Sequence, residues 1–501
     1  MRWLMLIFEY LLVLLDGAPE LKDYEREIRR REWSWMQLRR RDPSVTDALW
    51  EHRMAAHADR VWQALQTGSL DALQGMVSDG LLQSLQHQRD CGQPFEFVSD
   101  GRLPVEALNL DVIEQVGPYM VAIARPRWHR FPEHRTKSWA VGAKWFYLRR
   151  ADGLAPRASG EAGVWEHHCP RCGAALALAD RARCTHCGAI VNSGEHDWIL
   201  VAIGDGEHEH EIFDIPGLDT LQQLDPAFSP FIVEDRAAVI FWALHGARPL
   251  RPYLAEGAEI GARQSSALLR LQDIRVHEVR IDRLVVRVRW REGDTDQVEA
   301  WTLTRSEEAR TPIHRGVASL GCQSCGAPLE GSGTCGYCSA VQAPDAEWRL
   351  AAIEPYRSSP PVRPALTRLD TGLSWSERRT VYGVLQTLDK QTPGPMIVFL
   401  NDLADIFGYG KQSRRFIERP LSAAAALRPK TQALLLDLAW QMLTDRSDLG
   451  EAHVASIRAL SGHTGHTGHT EAEVERRLAI ARDVQRRVAR AKAADEARSE
   501  S

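Results

Sequence analysis

Phe146-Tyr-Leu148-Arg-Arg150, then Cys169-Pro-Arg-Cys172, Cys184-Thr-His-Cys187 and Trp198-Ile-Leu200-Val-Ala202-Ile203 follow one another in the first half of the chain. The series returns as Trp301-Thr-Leu303-Thr-Arg305, Cys322-Gln-Ser-Cys325, Cys335-Gly-Tyr-Cys338 and Trp348-Arg-Leu350-Ala-Ala352-Ile353, with the cysteine clusters 153 residues apart. An aromatic-x-Leu-x-Arg strand, a double CxxC and a Trp-x-Leu-x-Ala-Ile strand therefore occur twice in one order. Such recurrence marks an internal duplication, and the chain reads as two copies of one module.

The cysteine spacing specifies a metal. Tetrahedral zinc takes four thiolates, and a two-residue gap lets one tight turn present two sulfurs to one ion. Glycine follows the second cysteine of three pairs (Gly173, Gly188 and Gly326), where a knuckle turn wants positive φ. The fourth pair departs, with Ser339 in that place and Gly336 inside the turn. Disulfides or unliganded thiols are the competing reading, and eight of nine cysteines falling into four CxxC pairs favours zinc. One expected site is Cys169, Cys172, Cys184 and Cys187; the second is Cys322, Cys325, Cys335 and Cys338. All four ligands of each come from the protein, leaving no position for water or substrate, so both zinc ions are expected to be structural. The leftover Cys91 reads as a buried small hydrophobe.

At 501 residues the chain is long enough for about three domains. It is 44% hydrophobic and 26% charged, an ordinary globular balance. The formal charge is −5, and two zinc–tetrathiolate sites would carry it to about −9, which argues against a general polyanion binder. Zinc thiolates need a reducing compartment, so the body of the protein is expected in the cytoplasm.

Residues Trp3 to Leu15 are apolar except for Glu9, giving 13 positions where a bilayer span needs about 20. No small-residue cleavage site follows, which argues against a cleaved signal peptide. Lys22 to Arg41 then carries eight basic residues against four acidic, with Trp33 and Trp35 between them. One reading is an interfacial helix with a basic, aromatic-bearing stretch on an anionic membrane at the inner face. The other is a helix docked on the protein's own core, followed by a solvated charged helix.

From Leu49 to Gln88 the apolar spacing is helical, with Gly68 and Gly80 read as punctuation. After Gly92 the texture changes to extended runs, among them Met120–Ala124 and Trp139–Leu148. The second copy starts near Phe231, and its Leu284–Trp290 run puts Val286, Val288 and Trp290 on one face and Arg287, Arg289 and Arg291 on the other. That predicts a half-buried strand with a basic outer face. Tyr356–Pro364 is a Pro-rich linker, and everything beyond residue 370 reads as helical. The expected divisions are 1–43, an apolar then basic helix; 44–215, the first module with a ribbon at 169–188; 228–356, the second with a ribbon at 322–339; 357–370, the linker; and 371–501, a helical domain.

No reactive constellation emerges, and the chain is expected not to be an enzyme. Gly408-Tyr-Gly410-Lys411-Gln-Ser413 lacks the first glycine and the Ser or Thr after lysine that a phosphate loop requires. Asp445, Asp448 and Glu451 could hold a divalent cation, and default to exposed helix-end acids. His463, His466 and His469 recur every third residue, as a repeat expansion or a weak metal site. His208 and His210 read as a polar turn.

The duplicated frame resembles the domain of the mitochondrial import-motor scaffold (the Tim forty-four subunit) and its bacterial relatives. The matching residues are Phe146, Leu148, Arg150, Trp198, Leu200, Ala202 and Ile203, and then Trp301, Leu303, Arg305, Trp348, Leu350, Ala352 and Ile353. The resemblance implies an α+β fold of two cone-like helix-on-antiparallel-sheet domains, each carrying an inserted four-cysteine zinc ribbon, with an all-α C-terminal domain. It also implies docking to membranes and proteins, as in protein transport. The first helix pair is abbreviated in the second copy, which puts a pocket there in doubt. Residues 431–480 more faintly resemble the tellurite-resistance TerB-type helical domain, through Leu434-Leu-Leu-Asp-Leu438, Asp445-Arg-Ser-Asp448-Leu-Gly-Glu451 and Glu473-Val-Glu-Arg-Arg-Leu478. Arg446 departs from that family's acidic pattern.

The expected function is a non-enzymatic zinc-ribbon scaffold that binds protein partners, or an anionic membrane surface through residues 1–41, at the cytoplasmic face of a membrane. Nucleic-acid binding through the ribbons is the second hypothesis. Phosphate contacts dominate nucleic-acid affinity, and Cys322–Cys338 contains no Lys or Arg and one acid, Glu330. The first ribbon offers Arg171, Arg181 and Arg183 against Asp180. A pocket-bearing carrier or enzyme is the third, and a cavity lined by titratable groups would mark it.

Overall fold

The structure, a computed structural model, describes residues 32–40, 47–93, 105–128, 144–151, 168–176, 184–204, 215–247, 249–311, 339, 347–356, 371–391, 397–407, 409, 419–444, 451–464, 475–483, 485–486 and 489. The chain forms two units, Glu51–Val362 and Met1–Trp50 with Arg363–Ser501. The fold is mixed α+β, with two four-stranded antiparallel sheets of order β1-β2-β3-β4 and β5-β6-β7-β8.

The first series runs α1 (Asp47–Thr67), a 3-10 turn (Leu70–Leu73), α2 (Asp79–Asp90), β1 (Val105–Val116), β2 (Tyr119–Trp128), β3 (Lys144–Arg150) and β4 (Ile199–Gly204). The second runs α3 (Leu218–Leu224), α4 (Pro230–Leu244), a 3-10 turn (Arg251–Tyr253), β5 (Leu269–Val279), β6 (Arg283–Glu292), β7 (Thr295–Thr304) and β8 (Arg349–Pro355). The duplication reaches the backbone pairing. Val77 makes a parallel bridge to Leu200, and Leu254 makes one to Leu350, the same position of the repeat. Each last strand also breaks register at the same place, skipping Val201 between Leu200 and Ala202 and Ala351 between Leu350 and Ala352. Opposite the break the partner strands differ by one residue, since Tyr147 faces Leu200 whereas Leu303 faces Leu350. A helix, a 3-10 turn, a parallel bridge and a four-stranded meander thus occur twice, and α2 has no counterpart among the exposed and half-buried residues between Leu254 and Leu269.

α4 explains how the two copies share one core. Its sequence is apolar around its whole circumference apart from Glu234-Asp235-Arg236, and every position except Ile232 is buried. A helix apolar on all sides needs neighbours on all sides. β5 packs on one side, and α2 of the first copy supplies another. Trp242 Nε1 donates to Ser84 Oγ at 2.8 Å, and its ring lies against His87 at a 32° tilt with centroids 4.5 Å apart. The sheets join in one apolar cluster that includes Val121, Phe146 and Ile199 from the first and Val286, Trp301 and Leu350 from the second.

Gly80 is where the two helices touch. It lies in the first turn of α2 and breaks nothing, so its expected role as helix punctuation is corrected. Its N–H donates to Asp235 Oδ1 at 2.8 Å, and a Cβ there would lie 2.6 Å from that oxygen and 2.7 Å from Ala238 Cβ. Only a residue without a side chain allows this approach. Gly68, by contrast, ends α1 with φ 71°.

The basic face expected on β6 is also corrected. Val286, Val288 and Trp290 point into the core as the alternation predicts. On the opposite face Arg287 is buried and pairs with Asp273 at 3.1 Å, while Arg291 holds Asp296 at 2.6 Å with Arg289 beside it. Carboxylates on the neighbouring strands consume the row.

The other unit is helical. α5 (Trp375–Gln391), α6 (Ile397–Ile406), a 3-10 segment (Leu421–Ala426), α7 (Pro429–Thr444) and α8 (Glu451–Thr464) enclose an apolar core around Leu385, Leu403, Leu435 and Leu460. A reciprocal cap starts α5: Glu377 N–H donates to Ser374 Oγ at 3.3 Å, and Ser374 N–H donates to Glu377 Oε2 at 3.0 Å. Residues 32–40 form a helical segment in the same unit. Met36 enters the core, Trp33 packs against it, and Trp35 meets Trp50 edge to face at 5.8 Å. Arg39 donates to the Gln441 carbonyl, Gln441 Nε2 donates to the Met36 carbonyl, and Arg40 pairs with Asp437. The expectation of a solvated charged helix is corrected here, since Trp35, Met36, Leu38 and Arg39 are buried; the apolar run 3–15, read as either docked or interfacial, lies outside the described residues. Among the described residues no helix is long and apolar enough to cross a membrane.

Candidate metal centre

Cys169, Cys172, Cys184 and Cys187 converge in the connection between β3 and β4. All four sulfurs lie within 4.8 Å of one another, with Cys169 Sγ 3.7 Å from Cys187 Sγ and Cys172 Sγ 3.7 Å from Cys184 Sγ. Sulfurs about 2.3 Å from a tetrahedral ion stand about 3.8 Å apart, whereas a disulfide needs about 2.05 Å. The separations therefore fit four thiolates around one metal ion.

The two halves of the site are built alike. Gly173 N–H donates to the Cys169 carbonyl and Gly188 N–H to the Cys184 carbonyl, both at 2.8 Å. Cys169 N–H then donates to Ala174 at 2.8 Å and Cys184 N–H to Ala189 at 2.9 Å. Both turns close through glycine at positive φ, 76° at Gly173 and 70° at Gly188, as their spacing predicts. Cys169 and Cys184 are buried, Cys187 is half-buried and Cys172 is exposed. Burial pushes the Cys169 thiol well above its ordinary range, against bonds from the Cys172 and Arg171 N–H groups. At Cys184 burial also raises the thiol, but the N–H groups of Cys187 and His186 and the adjacent sulfurs outweigh it and leave it lowered. Donors aimed at sulfur favour the thiolate a metal needs.

The residues after the second knuckle anchor it to the sheet. Ile190, Val191, His196, Asp197 and Trp198 are buried. Arg150 N–H donates to the Gly194 carbonyl at 2.7 Å, and Asn192 Nδ2 donates to Asp79 Oδ1 at 3.1 Å. The Asn192–Asp79 hydrogen bond thereby ties the β3–β4 connection to the start of α2. His196 is held below its usual pKa by burial, against the opposing pull of the Glu195 carboxylate 3.7 Å away.

Cys322, Cys325, Cys335 and Cys338 lie outside the described residues, as do Asp445, Asp448, His466, His469, His208 and His210. Ser339 is described, and its φ of 55° is the one positive value at a non-glycine among the described residues. It stands where Gly188 stands in the first site. Glu451 and His463 are both exposed on α8. Cys91 departs from its expected burial: it is half-exposed at the end of α2, with Sγ 3.6 Å from His87 Nε2. Sequence reasoning missed Glu234 and Asp235, whose signal was available as three consecutive charges inside an otherwise apolar α4, and Asp273 and Arg275 on β5, which carried no such signal. No protein-family model matches the chain, and no curated protein or solved structure matches it.

Proposed function

We propose that the chain is a non-enzymatic scaffold with two structural zinc ions. The first is held by Cys169, Cys172, Cys184 and Cys187, and the second by Cys322, Cys325, Cys335 and Cys338. The observation that carries this reading is the closure of the first site: four sulfurs fill a tetrahedron, so a bound zinc offers no position for substrate or water. The metal's role is to staple the β3–β4 connection against α2. The shared core supports a tandem module that presents surfaces as one body, in keeping with the resemblance to the import-motor scaffold domain. Pairing of Arg287 with Asp273, and of Arg289 and Arg291 with Asp296, supports protein partners over nucleic acid. The remaining surface partner is an anionic membrane at the cytoplasmic face.

Because residues 32–40 belong to the helical unit, the membrane part is tested by removing residues 1–31 alone. Full-length protein should float with anionic vesicles and the shortened protein should not. Equal flotation of both, or of neither, would remove the membrane from the proposal.

A further inference from the structure

α5 carries two adjacent cations near its start, Arg378 and Arg379, both half-buried. Among the described residues neither forms an ion pair, and the acid beside them is committed elsewhere: Glu377 accepts from Arg428, Thr431 and Ser374. Arg378 spends its Nε on the Leu373 carbonyl at 3.1 Å, which leaves its terminal nitrogens to donate. The Arg379 guanidinium lies 5.3 Å from the ring centre of the exposed Trp375, a contact that orients the charge without neutralising it.

Tyr382 stands four and three residues further along α5, so it shares a helix face with both arginines. Tyr409, beyond the end of α6, packs on Tyr382 with ring centroids 5.3 Å apart and on Phe407 at 6.1 Å. Its N–H donates to the Ala404 carbonyl at 2.8 Å, which holds it against α6. Tyr409 is only 7% exposed, yet its hydroxyl has no hydrogen-bond partner. A buried hydroxyl in that state is rare in a folded protein and calls for a ligand or a reason. Burial pushes the phenol up to about 12, and the charges of Arg378 and Arg379 are close enough to oppose it. The hydroxyl therefore keeps its proton at neutral pH and is a donor beside two cations.

We propose that Arg378, Arg379 and Tyr409 bind a phosphate-type oxyanion. The two guanidinium groups supply charge and paired N–H donors to a tetrahedral anion, and the phenol supplies a further bond from the buried side. No ion-paired acid competes for the arginines, so an anion is the ligand that completes the cluster. The site belongs to the helical unit and uses none of the zinc cysteines, so its failure would leave the scaffold reading standing.

The test titrates the full-length, zinc-loaded chain, freed of excess zinc, with inorganic phosphate by calorimetry. Sodium chloride and sodium acetate at matched ionic strength are the controls. The expected result is saturable, roughly millimolar binding of phosphate alone. Arg378→Gln and Arg379→Gln should each weaken it at least about fivefold. Tyr409→Phe should weaken it about fivefold as well, while its urea midpoint without phosphate holds or rises, because the lost hydroxyl had no partner in the unliganded fold. That second measurement separates a lost ligand bond from a damaged fold. Glycerol 3-phosphate binding more tightly than phosphate would assign the site to a monoester such as a lipid headgroup, and weaker binding would assign it to the free anion. Non-saturable binding, an equal response to chloride or acetate, or affinity unchanged in both Arg379→Gln and Tyr409→Phe would overturn the proposal.

Discussion

Gly80→Ala separates packing from helix propensity because the two have opposite signs. In an open helical position a glycine-to-alanine change stabilises by about 1 kcal/mol. At Gly80 the new Cβ would meet Asp235 Oδ1 at 2.6 Å, Ala238 Cβ at 2.7 Å and the Asp235 carbonyl at 2.7 Å. Two of those three atoms cannot swing away, so α2 must move off α4. Forcing a methyl into a packed contact costs about 1–3 kcal/mol, and disturbing the Gly80–Asp235 hydrogen bond adds about 1 kcal/mol. After the propensity gain, the net loss is about 2 kcal/mol. Gly462 in α8 provides the control, since a Cβ there meets nothing within 4 Å. Urea unfolding followed by tryptophan fluorescence reports both. Gly80→Ala should lower its midpoint and Gly462→Ala should hold or raise its own. A Gly80→Ala protein as stable as the parent would refute close α2–α4 packing as the join between the copies.

Three further outcomes follow from the same contacts. Glu234 has an ordinary value of 4.5 and is raised to about 7 by burial, so the unfolded chain ionises first. Stability present below pH 4.5 is then lost as pH rises to 7, about 2 kcal/mol of it between pH 5.5 and 7.5. Glu234→Gln, compared with the parent by urea unfolding at those two pH values, should lack that drop. Ser339→Gly relieves a left-handed backbone and should slow zinc loss to a chromogenic chelator, whereas Ser339→Val should speed it. Glu377 caps α5 and accepts bonds from Arg428 and Thr431, both at 2.7 Å, which hold its carboxyl well below the usual range. Glu377→Ala should cost about 2 kcal/mol by thermal or urea denaturation, and the parent's margin over it should shrink as pH falls below about 4.

What the sequence exposed and what it hid divide along physical lines. The first four-cysteine cluster was legible because its parts are local: each CxxC turn is set by a few residues, and the knuckle glycines announce their backbone. The alternation of Val286, Val288 and Trp290 likewise fixed the buried face of β6, since a strand's period needs no tertiary knowledge. The fate of Arg287 and Arg291 did not follow from that period, because Asp273 and Asp296 reach them from other strands. The contact of Gly80 with Asp235 spans 155 residues, and that of Met36 with Gln441 spans 405, so neither leaves a local signature. The charged trio in α4 could have been flagged as a buried polar cluster, although its partners on β5 could not have been named from sequence.

The central claim is two closed structural zinc sites, and zinc-edge X-ray absorption on the full-length protein with metal quantification tests it most directly. The expected result is two zinc ions per chain, each with four sulfurs at about 2.3 Å and no lighter neighbour. A single zinc per chain, or an oxygen or nitrogen in the coordination shell, would contradict it.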